Sequence, residues 1–211
     1  DSLVKFKQIE LQNQILDLFV DIPLFLDPQQ YSSKNRRQIG LLLRQIRREQ
    51  LIEDHSRSEP FEEDILGLSH TSVGTASTLL SEKFYKSFPR IILEGAPGQG
   101  KSTLAQYVAQ VHRLKILQRE ELHAVEKNHQ HTSTKLPLKV DLRDLATWLK
   151  GYNPFTTPSE GLPYGWQKTL ESFLAAQIQF HSGGVSFDVA DLHAVVQLSP
   201  VFLILDGLDE V

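Results

Sequence analysis

The chain has 211 residues, of which 40% are hydrophobic and 23% charged, a balance that fits one or two globular domains. Its net charge of -4 at pH 7 gives no electrostatic argument for nucleic acid or a membrane surface as partner. The absence of cysteine excludes a disulfide framework and any thiolate metal site, which fits a cytoplasmic protein.

In chain order, residues 2–20 place Phe6, Ile9, Ile15, Leu18 and Phe19 at mixed three-to-four spacing, which predicts a helix ended by Asp21-Ile22-Pro23. Leu24 to Leu26 fit a short extended piece. From Asn35 to Glu53, Ile39, Leu42, Leu43 and Ile46 form an apolar stripe, with Arg37, Arg44, Arg47 and Arg48 largely off it, as in an amphipathic helix. Residues 54–75 are polar and irregular and read as a linker. Leu79, Leu80, Phe84 and Phe88 predict a short helix ending before Pro89.

The apolar run Arg90 to Glu94 reads as a strand, and Lys101 to about Lys127 as a long helix with Leu104, Val108, Val111 and Leu122 inward. Asn128 to Lys135, holding His129 and His131, reads as a polar loop. Leu136 to Val140 predicts a second strand and Asp141 to Lys150 a helix. After a loop over Gly151 to Gly165, Trp166 to His181 predicts a helix with Leu170, Phe173, Leu174 and Ile178 inward, stopped by Gly183-Gly184. Asp188 or Asp191 starts a further helix. Val201 to Leu205, bounded by Pro200 and Gly207, predicts a central parallel strand buried on both faces. Alternation of this kind implies a three-layer α/β architecture with a parallel sheet.

Between the first strand and its helix, Gly95 to Ser102 read GAPGQGKS. Glycines at 95, 98 and 100 free the backbone to aim successive N–H groups at phosphate oxygens, and the following helix adds the positive end of its dipole. In such a loop Lys101 reaches the β- and γ-phosphates and Ser102 ligates Mg²⁺. The binding set from this chemistry is Gly95, Gly98, Gly100, Lys101 and Ser102. Asp206, at the carboxyl end of an apolar strand, is the second metal-binding candidate. A bland alternative for Asp206 is the Asp-Gly turn dipeptide. The eight histidines are scattered without zinc-ligand spacing, so no zinc site is expected.

After Asp206 come Gly207, Leu208, Asp209 and Glu210, with no glutamate directly after the metal-binding aspartate. This arrangement, with GAPGQGKST, resembles the NACHT family within the STAND class of signal-transducing P-loop NTPases. Leu136 to Ala146 (LPLKVDLRDLA) looks like that family's second strand and following helix. The resemblance covers residues 89–211 well and 15–88 loosely. It implies an NTPase core of the ASCE type over 89–211, truncated, after a mostly helical region over 1–88. It further implies that Lys101 and the backbone around Pro97, Gln99 and Thr103 hold the phosphates, and that Asp209 and Glu210 orient or activate the attacking water. Their alternative reading is a cap and first-turn pair for a following helix. Leu18 to Leu24 is the candidate base-holding segment. Activity would be a switch driven by ATP, with GTP as the other option, that oligomerises in its active state under an unknown trigger, in innate immune or anti-phage defence.

The start at Asp1 and the absence of methionine are expected of an internal piece of a longer protein, or of a written sequence that omits its methionines. The resemblance likewise implies a further strand, a small helical domain and a winged helix after Val211. His181-Ser182-Gly183-Gly184-Val185 raises an ABC-type ATPase, but the glutamine and basic residues that should follow are absent. No lid arginines mark a small-molecule kinase. A nucleotide-gated scaffold that scarcely hydrolyses, and another ATPase such as an AAA type, remain as alternatives.

Overall fold

A computed structural model describes residues 15–16, 19–24, 33–53, 73–156 and 161–208. Most of the helix expected over 2–20, the pieces at 25–26 and 54–72, and Asp209 and Glu210 lie outside these residues. The protein is a mixed α/β structure, and its contacts divide it into two compact units, Asp1–Ser133 and Thr134–Val211.

In the first unit, β1 (Pro23–Leu24) pairs antiparallel with β2 (Val73–Gly74). Helix α1 (Ser33–Glu53) buries Ile39, Leu43 and Ile46 against Val73 and Phe84, with Leu24, Leu42 and Phe88 packed around them. The arginines Arg37, Arg44 and Arg48 stay exposed, as the stripe requires. The single helix expected before Pro89 is two, α2 (Thr75–Leu80) and α3 (Glu82–Ser87). Ser81 separates them because its ψ of 117° leaves the helical region.

The strand expected at 90–94 does not form. Among the described residues its backbone joins no ladder, and Ile91 and Ile92 are 42% and 77% exposed. Local apolar character was sufficient to predict the strand, but a strand exists only where a second one lies alongside. Helix α4 (Lys101–Leu117) follows, with Leu104, Val108 and Val111 buried. It ends ten residues short of the expected Lys127 because Gln118 turns left-handed, at φ 49°. A 3₁₀ turn (Glu120–Ala124) and a one-turn helix α5 (Lys127–Gln130) take up the rest, so His129 sits in a helix rather than a loop.

In the second unit, β3 (Leu136–Asp141) and β4 (Val201–Asp206) pair parallel over six residues, from Leu136 opposite Val201 to Asp141 opposite Asp206. Between them run α6 (Leu142–Lys150), α7 (Leu170–His181) and α8 (Val189–Leu198). Each start is fixed by an N-cap side chain: Asp141 accepts from the Arg143 amide, Thr169 from Ser172, and Asp188 from Asp191 in a capping box. Helix α7 therefore begins at Leu170, four residues after the expected Trp166. Val140, Trp148, Phe173, Leu174 and Leu192 form the core.

The sheet differs from expectation in two ways. Each sheet among the described residues has two strands, so the three-layer parallel sheet is not formed by them. Nor is β4 buried on both faces, since Leu203 and Leu205 are 41% and 53% exposed. Leu203 and Leu205 share a face with their register partners Leu138 and Val140, but the core gathers over β3, where Val140 is fully buried, and leaves that face of β4 only partly covered.

Candidate phosphate-binding site

The loop Gly95–Gly100 is exposed and leads straight into the first turn of α4. Gly98 and Gly100 both hold φ +78°, a backbone that side chains rarely adopt. A Cβ at Gly98 would meet nothing within 4 Å, so dihedral freedom rather than space demands glycine there. Gln99 braces the turn: its Oε1 accepts from the Ala96 amide at 2.8 Å, and its own amide donates to Ala96 O at 3.3 Å.

Gly100 is the N-cap of α4, and the Leu104 amide is the first to bond back, to Gly100 O at 2.8 Å. The amides of Lys101 to Thr103 therefore point out of the helix end, as in any first turn. The Lys101 ammonium donates to Gly95 O at 2.6 Å and Ala96 O at 3.3 Å, which holds its positive charge over the loop. A left-handed glycine turn, outward amides, a cation and the positive end of a 17-residue helix together fit a phosphate chain. Pro97, Gln99, Ser102 and Thr103 occupy the same exposed loop and helix start.

Ile22, a member of the candidate base-holding segment, approaches Gly100 so closely that a Cβ there would sit 3.0 Å from Ile22 Cδ1. Around it lies a polar set that the sequence did not disclose. Ile22 O accepts from the Thr75 amide at 2.8 Å and from Thr75 Oγ1 at 2.7 Å. Asp21 caps α2, accepting from the amides of Ala76 (2.7 Å) and Ser77 (3.0 Å) and from Ser77 Oγ (2.8 Å). Ser77 Oγ lies 2.8 Å from His129 Nε2, and His129 Nδ1 lies 2.8 Å from the Tyr107 hydroxyl. Asn128 Nδ2 donates to Ser77 Oγ at 3.2 Å. His129 is fully buried and the Phe19 ring stacks on Tyr107 at 3.6 Å.

Burial pushes the Asp21 carboxyl up, but the bonds from His129, the two amides and Ser77 outweigh it and hold it below its ordinary value. Burial, with Glu126 and Asp21 nearby, pushes the Tyr107 hydroxyl up, so it keeps its proton. One assignment of protons then satisfies the chain. Tyr107 donates to Nδ1, Nε2–H donates to Ser77, and the Ser77 hydroxyl donates to Asp21 while accepting from His129 and Asn128. Sequence spacing could not find this set, because its members come from four separate segments and His129 sits among polar neighbours.

In the second unit, Asp206 stands at the carboxyl end of β4 opposite Asp141. Like charges side by side on paired strands repel, and each carboxylate has a cation. Lys139 Nζ lies 3.0 Å from Asp206 Oδ2, while Arg143 reaches Asp141 at 3.0 Å and its hydrogen bond holds that carboxyl below its ordinary value. Gly207, at φ 84°, turns the chain sharply after the strand. Among the described residues no group of three or more His, Cys, Asp or Glu is arranged to hold a metal. A hydroxyl such as Ser102 and a carboxylate such as Asp206 are the hard oxygen donors that Mg²⁺ takes alongside phosphate oxygens.

No family model, curated protein or solved structure matches the chain. Among the described residues no helix is long and apolar enough to cross a membrane.

Proposed function

We propose that the chain binds a Mg²⁺-nucleoside triphosphate, ATP in preference to GTP, and acts as the P-loop NTPase core of a NACHT-type molecular switch in the cytoplasm. What supports it is the loop Gly95–Gly100, with its two left-handed glycines running into the start of a 17-residue helix at Lys101 and Ser102. In this proposal the backbone N–H groups of Gly98 and of Gly100 to Thr103, in a loop shaped by Gly95, Pro97 and Gln99, bind the phosphates and Lys101 neutralises their charge. Ser102 and Asp206 hold Mg²⁺, which when bound polarises the terminal phosphoryl group. Asp209 and Glu210 orient the attacking water, and residues 19–24 flank the base and sugar. Nucleotide state then biases a closed monomer against an oligomer, in immune or anti-phage signalling.

The test is titration calorimetry of the 211-residue chain with Mg-ATP. Lys101→Ala removes the cation held over the loop and is expected to weaken binding by at least tenfold, about 1.4 kcal/mol or more. Equal affinity in both proteins overturns the phosphate-loop assignment.

A further inference from the structure

Residues 19–24 have little regular structure to hold them in place. Their one strand, β1, pairs over only two residues, and Val20 is 78% exposed. Two residue pairs cannot fix a segment on their own. What does fix it is polar and buried. Asp21 is tied to α2 through three hydrogen bonds, to α5 through Ser77 and His129, and to α4 through Tyr107. Phe19, two residues earlier, lies flat on that same Tyr107 ring, and Ile22, the next residue, rests against Gly100. Helix α4 thus carries the phosphate loop at its first residue and an anchor for residues 19–22 less than two turns later.

A buried polar chain of this length is costly unless it is complete, since each member left without a partner loses its full desolvation energy. Apolar packing at the same positions would give stability without that risk. The chain has a property that apolar packing lacks: it fixes register, because each donor meets one acceptor. Its far end, at Asp21, sits one residue from the side chain that touches the phosphate loop.

We propose that Asp21, Ser77, His129 and Tyr107 form a positioning relay that holds Ile22 beside the phosphate loop and so sets affinity for the nucleoside part of the ligand. The proposal rests on the phosphate-loop reading above, and the four residues act through Ile22 without touching the nucleotide. With the relay intact, the apolar side chain of Ile22 meets base or sugar already ordered, so binding does not bear the entropy of ordering its segment. With the relay broken, that ordering is charged to nucleoside binding alone, and phosphate binding by Gly95 to Thr103 is left as it was.

The experiment compares Mg-ATP with Mg-tripolyphosphate, which has the phosphates and no nucleoside, on the 211-residue chain by calorimetry. Asp21→Asn keeps the side-chain shape and is expected to weaken ATP about tenfold while changing tripolyphosphate less than about twofold. Tyr107→Phe removes one hydroxyl from the far end of the relay and is expected to act in the same direction, more weakly. It serves as the second variant if circular dichroism shows Asp21→Asn unfolded. A parallel loss of both ligands in a folded variant overturns the relay, as does unchanged ATP affinity. A wild-type chain that binds neither ligand overturns the phosphate-loop reading and the relay with it, which separates the two failures.

Discussion

Asp21 shows how one carboxylate can serve a turn, a helix and a buried histidine at once. It looked like a helix breaker because Asp-Ile-Pro stops periodicity, and it does stand outside any helix of the described residues. Its larger role is to accept three hydrogen bonds from α2, from the amides of Ala76 and Ser77 and from the Ser77 hydroxyl, with His129 of α5 3.5 Å away. That role has a signed consequence for pH. The folded carboxyl lies below its ordinary value of 3.8, so it contributes stability above about pH 4 that is lost as pH falls through the folded value. Thermal melting of wild type is expected to fall steeply over that acid range. Asp21→Asn, which has no carboxyl to protonate, is expected to melt lower near neutrality and with a shallower acid slope. Parallel slopes in the two proteins would assign the acid sensitivity to other groups. Asp141, also lowered but by a largely exposed Arg143, is the natural source of the residual slope.

At the scale of elements, local chemistry was legible and pairing was not. Polar starts announced α6 and α8, since Asp141 and Asp188 each meet an amide two or three residues on, whereas the Thr169 cap that starts α7 went unread behind Trp166. The stripe Ile39, Leu43 and Ile46 announced the buried side of α1. These depend on neighbours within a turn. The run at 90–94 fails because a strand depends on a distant partner, and the split at Ser81 escapes notice because the apolar spacing of Leu80 and Phe84 continues across it. The site divides the same way: the glycine loop was readable as a motif, and the relay beneath it was not. The end of α4 was hidden too, because Gln118 carries a left-handed backbone that glycine prefers. Gln118→Gly is therefore expected to stabilise the protein by about 0.5–1 kcal/mol, read as a higher chemical-denaturation midpoint with unchanged slope. A lower midpoint would mean that the glutamine side chain contributes more than its backbone strain costs.

For the whole molecule, the main physical fact is apolar surface left uncovered. Leu198, Leu203, Leu205 and Leu208 are 86%, 41%, 53% and 70% exposed, on and around a strand with one partner among the described residues. A strand edge with large apolar side chains is a template for association between copies. Light scattering of the 211-residue chain is expected to rise with concentration, and Leu205→Lys to reduce that rise. Association unaffected by the lysine would place the adhesive surface elsewhere.

The parallel pairing of β3 with β4 also sets a schedule. Their partners are separated by three helices, and about 60 residues must be made after Asp141 before β4 begins, roughly 3–12 s at ordinary synthesis rates. Through that interval Leu138 and Val140 lack the strand they join among the described residues, although helices α6 and α7 can already form around Trp148 and Phe173. The newly made chain is therefore most exposed to wrong partners just before β4 is made, and a chaperone or a pause in translation at that point would act on a strand still waiting for its only mate among the described residues.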